Sequence, residues 1–112
     1  MPARKVPSSG SAVRGSRSGR PVMAALDLLG RRWALRILWE LRAGVLGARA
    51  LRERCDAMSS SVLYERLTEL TAAGLVTRTD DGGYALTDIG RSLGDALGPL
   101  DAWARKWARA VG

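Results

Sequence analysis

A chain of 112 residues with 46% hydrophobic content makes one small domain, because cores of this length do not divide and bury a modest share of their surface. Eighteen Lys and Arg against eleven Asp and Glu leave a net charge of +7, which points to a polyanion as partner, either nucleic acid or an anionic membrane surface. No apolar run approaches the roughly 20 residues of a membrane span, the N-terminus lacks the apolar segment of a secretory signal, and one cysteine makes no internal disulfide, so a cytoplasmic protein is expected.

Catalysis is excluded on similar grounds. With no histidine, the usual general base and the commonest metal ligand are both missing. The single cysteine has no histidine to activate it. The carboxylates show no metal-loop spacing, and no Gly-rich phosphate loop occurs. The expectation is a protein that is not an enzyme, with no metal and no cofactor.

Residues 1–20 are rich in Ser, Gly, Pro and Arg and have little to bury, so a disordered basic arm is expected. Arg4, Lys5, Arg14, Arg17 and Arg20 give it five positive charges and no negative one. The other thirteen cations face eleven anions, so residues 21–112, the expected folded domain, are close to neutral. Such an arm either follows DNA or is a solvated leader.

Pro21 suits the first position of a helix, and Val22, Leu26 and Leu29 repeat at helical spacing until Gly30 interrupts. A second helix is expected in RRWALRILWEL, ending by Gly44. There Trp33, Ile37 and Leu41 form one stripe, while Leu35 and Trp39 put apolar groups on the opposite side. Only Arg36 and Glu40 look solvated. A helix apolar nearly all round needs cover nearly all round, and part of it is expected from a second copy of the chain.

ARALRERC makes a short helix, Asp56-Ala57-Met58 a turn, and residues 59–73 a longer helix. In the latter Leu63, Leu67 and Leu70 form the inward stripe, Ser59 is the N-cap, and Gly74 stands where a left-handed residue ends a helix. The stripe turns Ser61, Tyr64, Glu65 and Thr68 outward. Val76 and Arg78 open a hairpin whose tip, Asp81-Gly82, reads as a two-residue turn. Thr87 then caps a helix carrying Ile89, Leu93 and Leu97, which Pro99 is expected to break or kink. A last segment aligns Leu100, Trp103, Trp107 and Val111 on one face. Helix, turn, helix, hairpin is the order of a winged helix-turn-helix, a mainly α architecture with a small β-hairpin, in which the second helix enters the major groove of double-stranded DNA.

ALDLLGRRWALRILWEL resembles the opening of HxlR-type winged-helix regulators, where a Leu-Gly-x-[Lys/Arg]-Trp core precedes an Ile-Leu-x-x-Leu helix. Those positions here are Leu29, Gly30, Arg32, Trp33, Ile37, Leu38 and Leu41. The resemblance continues through Leu51-Arg52, Met58-Ser59, Leu63, Arg66-Leu67, Glu69-Leu70, Gly74-Leu75-Val76, Leu86-Thr87 and Gly90, over roughly residues 21–100. The Trp33 segment is its specific part, since MarR- and PadR-like proteins share the hairpin signature. The resemblance implies a bacterial transcription factor, a homodimer joined through its N- and C-terminal helices. Redox-sensing members of the family carry a cysteine just before the first helix, where this chain has Arg20. Cys55 lies elsewhere and reads as a small core residue. Ala48 stands where the family has Phe, a gap for Leu46 to fill.

The expected DNA contacts follow residue by residue. Ser59 and Ser60 offer backbone N–H groups to a phosphate. Ser61, Tyr64, Glu65 and Thr68 face base edges, with Glu65 an acceptor for cytosine N4. Arg49 and Arg52, with Arg54, hold the backbone from the preceding helix, one of them pairing with Glu53 or Asp56. Arg66 flanks the stripe and either pairs with Glu69 or reaches a phosphate. Arg78 is the hairpin's cation, while Asp80 and Asp81 at its tip repel phosphate. Leu26, Trp39, Leu100, Trp103 and Trp107 are expected at the dimer interface. The leading reading is thus a dimeric, sequence-specific DNA-binding regulator. The alternative is a ligand- or protein-interaction module with weak or no specific DNA reading, in which Trp33, Trp39, Trp103 and Trp107 line a pocket for a small aromatic effector. A non-specific nucleoid-type binder comes third.

Overall fold

Apolar stripes at helical spacing have to meet somewhere, and here they meet around Leu63, Leu67 and Leu70, each at most 2% exposed. The structure, a computed structural model, describes residues 20–112. Along them run α1 (Pro21–Leu29), α2 (Ala34–Leu41), α3 (Ala48–Arg54), α4 (Ser60–Ala72), β1 (Val76–Arg78), β2 (Tyr84–Leu86) and α5 (Asp88–Val111). Ile37, Leu38 and Leu41 from α2, Leu51 and Cys55 from α3 and its end, and Val76, Tyr84 and Leu86 from the hairpin close over the three leucines in one core. This is a winged helix-turn-helix, mainly helical with an antiparallel hairpin. The basic arm expected over residues 1–20 lies, but for the exposed Arg20, outside the described residues.

Both ends of α4 are tied by local chemistry. The Ser59 hydroxyl accepts from the Val62 amide at 3.3 Å, occupying a donor that a helix start otherwise leaves open. At the far end Gly74 has φ +82°. The amide of Leu75 reaches the carbonyl of Leu70, and that of Gly74 reaches Thr71, both at 3.0 Å. These are the two bonds of a Schellman motif.

α5 starts against that same joint. The Thr87 hydroxyl accepts from the Gly90 amide at 3.1 Å and donates to the Gly74 carbonyl at 2.6 Å. A Cβ on Gly90 would sit 2.1 Å from the Leu75 carbonyl oxygen. Glycine is required there by close approach, not by backbone angle.

Five details differ from the sequence reading. Trp33 is not a residue of α2 but its N-cap, with φ +76°; the chain reverses there, which lays the half-buried indole against the core. The turn between α3 and α4 puts two residues other than glycine, Asp56 and Ala57, at positive φ. The hairpin loop has three residues, not two. Thr79 and Gly83 still pair, Gly82 donates back to the Thr79 carbonyl, and Gly82 takes φ +87°, the form of a turn followed by a left-handed residue. Pro99 does not break α5, which runs on as a helix to Val111. The carbonyl that Pro99 cannot serve belongs to Asp95, and both residues are exposed, so water can take the place of the missing amide. Finally, Ile89 is exposed, and Gly90, Gly94 and Leu97 form the inward side instead, because packing against Leu75 selects the residue without a side chain. Leu46, expected to fill the space beside Ala48, packs on the core with it and exchanges two backbone bonds with Tyr84, at 2.8 and 3.1 Å.

Gly90→Ala should therefore destabilise the fold by at least about 2 kcal/mol. Gly94→Ala, whose Cβ would meet only the flexible Arg42 side chain at 3.4 Å, should be neutral or stabilising by up to about 1 kcal/mol from helix propensity. Urea unfolding of the two variants beside the parent protein checks both.

Candidate nucleic-acid interface

Because α4 commits Leu63, Leu67 and Leu70 to the core, its opposite side is left to solvent. Ser61, Tyr64, Glu65 and Thr68 are all exposed there, as their spacing from the leucines requires. Their side chains are partly ordered by one another. Ser61 Oγ lies 2.9 Å from Ser59 Oγ, and the Thr68 hydroxyl donates to the Tyr64 carbonyl at 2.9 Å, leaving its methyl and lone pairs outward. Tyr64 is 50% exposed. Ser59 and Ser60 stand exposed at the helix N-terminus.

The hairpin lies along one edge of this face. Between them an open groove is lined by Tyr64, Thr68, Thr71 and Ala72 from α4 and by Arg78 and Tyr84 from the strands. The guanidinium carbon of Arg78 is 5.2 Å from the centroid of the Tyr84 ring, a cation–π contact that keeps the charge near the groove. Thr71, Ala72 and Tyr84 were not among the expected site residues. Thr71 and Ala72 lie at the C-terminal end of α4 and Tyr84 on β2, and the packing of β1 against α4, with β2 paired to β1, brings them to one groove. At the hairpin tip Asp81 accepts from the Thr79 hydroxyl and from the Gly83 amide. These bonds hold its carboxyl below the usual range, so the tip stays negative.

The arginines divide into two sets. Arg49 is exposed on α3. Arg52 donates through Nε to the Met58 carbonyl at 2.6 Å, bracing the helix-turn-helix turn. Arg54 lies 3.7 Å from Glu40, and Asp56 pairs at 3.2 Å with Arg36 rather than with a cation of α3. Arg36 and Glu40, 2.9 Å apart, are therefore not a simple solvated pair but the centre of this cluster. Arg66 departs most from a DNA-contacting role. Its guanidinium donates to the Arg32 carbonyl, Glu65 and Glu69 at 2.8, 3.0 and 3.0 Å.

The residues expected at a dimer seam are open, with one exception. Leu26, Leu100, Trp103 and Trp107 are exposed, and Trp103 and Trp107 stack with centroids 5.8 Å apart and planes 5° apart. Trp39 is half-buried and covered by Arg42, whose guanidinium carbon is 3.9 Å from its ring centroid. Val22 and Met23 add to the open face of α1. Among the described residues no ring contact links the α5 pair to Trp33 or Trp39, no cluster of metal-ligating side chains occurs, and no helix is long and apolar enough to cross a membrane.

Comparison with known proteins decides the family, since the profile of HxlR-like helix-turn-helix proteins matches residues 28–111. The chain belongs to the HxlR family. It is 34% identical over 89 residues to YvaP of Bacillus subtilis, named an uncharacterized HTH-type transcriptional regulator, covering 74% of this chain and 82% of that protein. Among solved structures, quinone-bound YodB of B. subtilis superposes with a TM-score of 0.70 at 33% identity, over 77% of this chain and 97% of YodB. A protein of Thermoplasma volcanium, named a possible HxlR family transcriptional factor, gives 0.70 at 29% identity, over 80% and 85%. These matches make this HxlR-family chain a relative of transcriptional regulators, and its fold is theirs.

Cys55 is fully buried among Ile37, Leu51 and Met58, and burial pushes its thiol up from the ordinary value. In the folded protein it should resist alkylation at pH 8 and react only at the rate of unfolding, which mass spectrometry of iodoacetamide-treated samples reads. The folded thiol holds its proton more tightly than the unfolded one. Its contribution to stability is therefore intact below about pH 8.5 and falls as pH rises above it. Cys55→Ala should flatten that alkaline slope in denaturation curves.

Proposed function

We propose that this HxlR-family chain is a homodimeric, sequence-specific DNA-binding transcriptional regulator, acting in the cytoplasm and reading the major groove with residues 59–73. The observation that carries the proposal is the outward side of α4, where Ser61, Tyr64, Glu65 and Thr68 stand exposed on a helix held at both ends. Hydroxyls, a phenol and a carboxylate suit base edges better than a solvated Lys–Glu face would. The N–H groups around Ser59 and Ser60 suit a backbone phosphate, with Arg49, Arg52 and Arg78 as flanking cations.

Pairing of two chains follows from the apolar surface. Leu26 on α1 and Leu100, Trp103 and Trp107 on α5 remain open. Two half-exposed indoles with their aliphatic neighbours expose on the order of several hundred Å² per chain, the scale at which a second copy is expected to cover them. Two-fold symmetry then sets two α4 helices about 34–36 Å apart on a near-palindromic site.

A second reading concerns the signal. YodB is known with a quinone bound, yet here Arg20 precedes α1 and Cys55 is buried. A covalent thiol switch has no accessible sulfur among the described residues. The stacked Trp103–Trp107 pair favours a planar aromatic effector held without a covalent bond, and quenching of tryptophan emission by quinones and phenols tests it.

Three outcomes are expected. Trp103→Glu with Trp107→Glu should give a monomer by light scattering and weaken operator binding by at least about 10-fold. Arg49→Ala should reduce the salt slope of binding by about one unit while leaving sequence preference intact. Thr68→Val should relax preference at one base pair by about 10-fold with the salt slope unchanged. Gel shifts on selected and scrambled duplexes at several salt concentrations read the last two. Equal affinity for every sequence would overturn the proposal.

A further inference from the structure

Along one flank of α4 four side chains alternate in charge. Glu65, at the rim of the outward face, accepts from Arg66 Nη1 at 3.0 Å. The same nitrogen donates to Glu69 at 3.0 Å, and the other oxygen of Glu69 lies 3.5 Å from Arg31 Nη1. Arg66 Nε donates to the Arg32 carbonyl at 2.8 Å. Side-chain exposure drops from 62% at Glu65 to 15% at Arg66, so the network is open at one end and covered behind it.

This arrangement bears on what Glu65 can do. A free carboxylate facing DNA is repelled by phosphates and turns through several rotamers. Glu65 instead has its charge compensated from beneath. Its oxygens offer about four lone-pair sites in all, so acceptors remain beyond the one bond it makes here. An exposed ion pair by itself would hold it weakly, but Arg66 is mostly covered and anchored on a backbone carbonyl, and its planar fork leaves little freedom. Arg66 in turn cannot reach a phosphate without abandoning two carboxylates and that carbonyl.

We infer that Glu65 accepts the amino group of a cytosine in the major groove, and that Arg66 is the positioning residue that aims it, bracing it against the turn between α1 and α2. Cytosine is favoured because its N4 amino group is a donor with no acceptor of its own base beside it on the groove edge. Adenine sets N7 next to its N6 donor, and guanine and thymine present acceptors that a carboxylate repels. The assignment rests on the DNA-reading proposal above.

Selection from random duplexes, with salt titration of the selected site, distinguishes the outcomes for wild type, Glu65→Gln and Arg66→Lys, with thermal melts to confirm folding. Lysine keeps the charge but loses the fork. Both variants should lose preference for cytosine at the same position, by about 10-fold, while a third variant, Arg66→Gln, which removes the charge, should keep a salt slope within about half a unit of wild type. Glu65 is mostly exposed, so Glu65→Gln, whose added amide donor suits adenine N7 and N6 rather than cytosine N4, tests the acceptor-only carboxylate even where Arg66→Lys folds poorly. A slope lower by about one unit in Arg66→Gln, with all sequences weakened alike, would make Arg66 a phosphate contact and overturn the inference. So would an unchanged cytosine preference in Glu65→Gln, or a wild-type site with no cytosine at that position. A wild type with no preferred sequence at all would instead overturn the regulator reading itself, and this assignment with it.

Discussion

The outward side of α4 can serve a partner only because its inward side is fully spent. Leu63, Leu67 and Leu70 are at most 2% exposed, and a helix with three such anchors over two turns cannot roll without drawing leucine into water, at roughly 1.5–3 kcal/mol for each side chain. Burial alone would still let the helix slide along its axis. The Ser59 cap and the Schellman bonds at Gly74 and Leu75 define where it begins and ends. Thr87 then joins that end to the start of α5 through the Gly74 carbonyl. Position and rotation of the exposed face are thus set by apolar contact, and its height by a few polar bonds.

Charge is distributed with the same economy. Much of the basicity seen in composition does not reach solvent as free cation. Arg31, Arg36, Arg66, Arg91 and Arg105 are paired with carboxylates, while Arg52 serves a carbonyl. Surface pairs of this kind add little stability one at a time, yet collectively they cancel field over the domain. Arg78 borders the exposed face of α4 and Arg49 is exposed on α3, opposed at the hairpin tip by Asp80 and Asp81. A near-neutral domain with a negative tip is poorly suited to indiscriminate attraction to DNA, which leaves shape and hydrogen bonding at α4 to distinguish a partner.

The uncovered apolar surface is the other asymmetry. α1 has no buried residue, and α5 past Pro99 keeps Leu100, Trp103, Trp107 and Val111 exposed. Patches of this kind on a small domain mark an interaction surface. The helix that carries them continues through a proline because the carbonyl it orphans faces outward.

The sequence by itself determined the element order, the three inward leucines, both caps of α4, the cap at Thr87 and the burial of Cys55. Each of these rests on local spacing or on a side chain bonding its own neighbours, which one stretch of chain encodes. The family was legible for the same reason, since Leu29-Gly30 and Trp33 form a contiguous signature. Tertiary structure alone decided the rest. Nothing within three or four residues of Trp33, Asp56 or Ala57 announces positive φ; the core imposes it by needing the indole and the turn where they are. Ile89 lost the inward side to Gly90 because a distant carbonyl, that of Leu75, lies where a side chain would stand. Arg66 reads on paper as either a partner of Glu69 or a phosphate contact; the local Glu69 pair forms, and only the fold adds the Arg32 carbonyl, 34 residues away in the chain. Contacts between distant segments depend on how helices stack, and that is settled by the whole core at once.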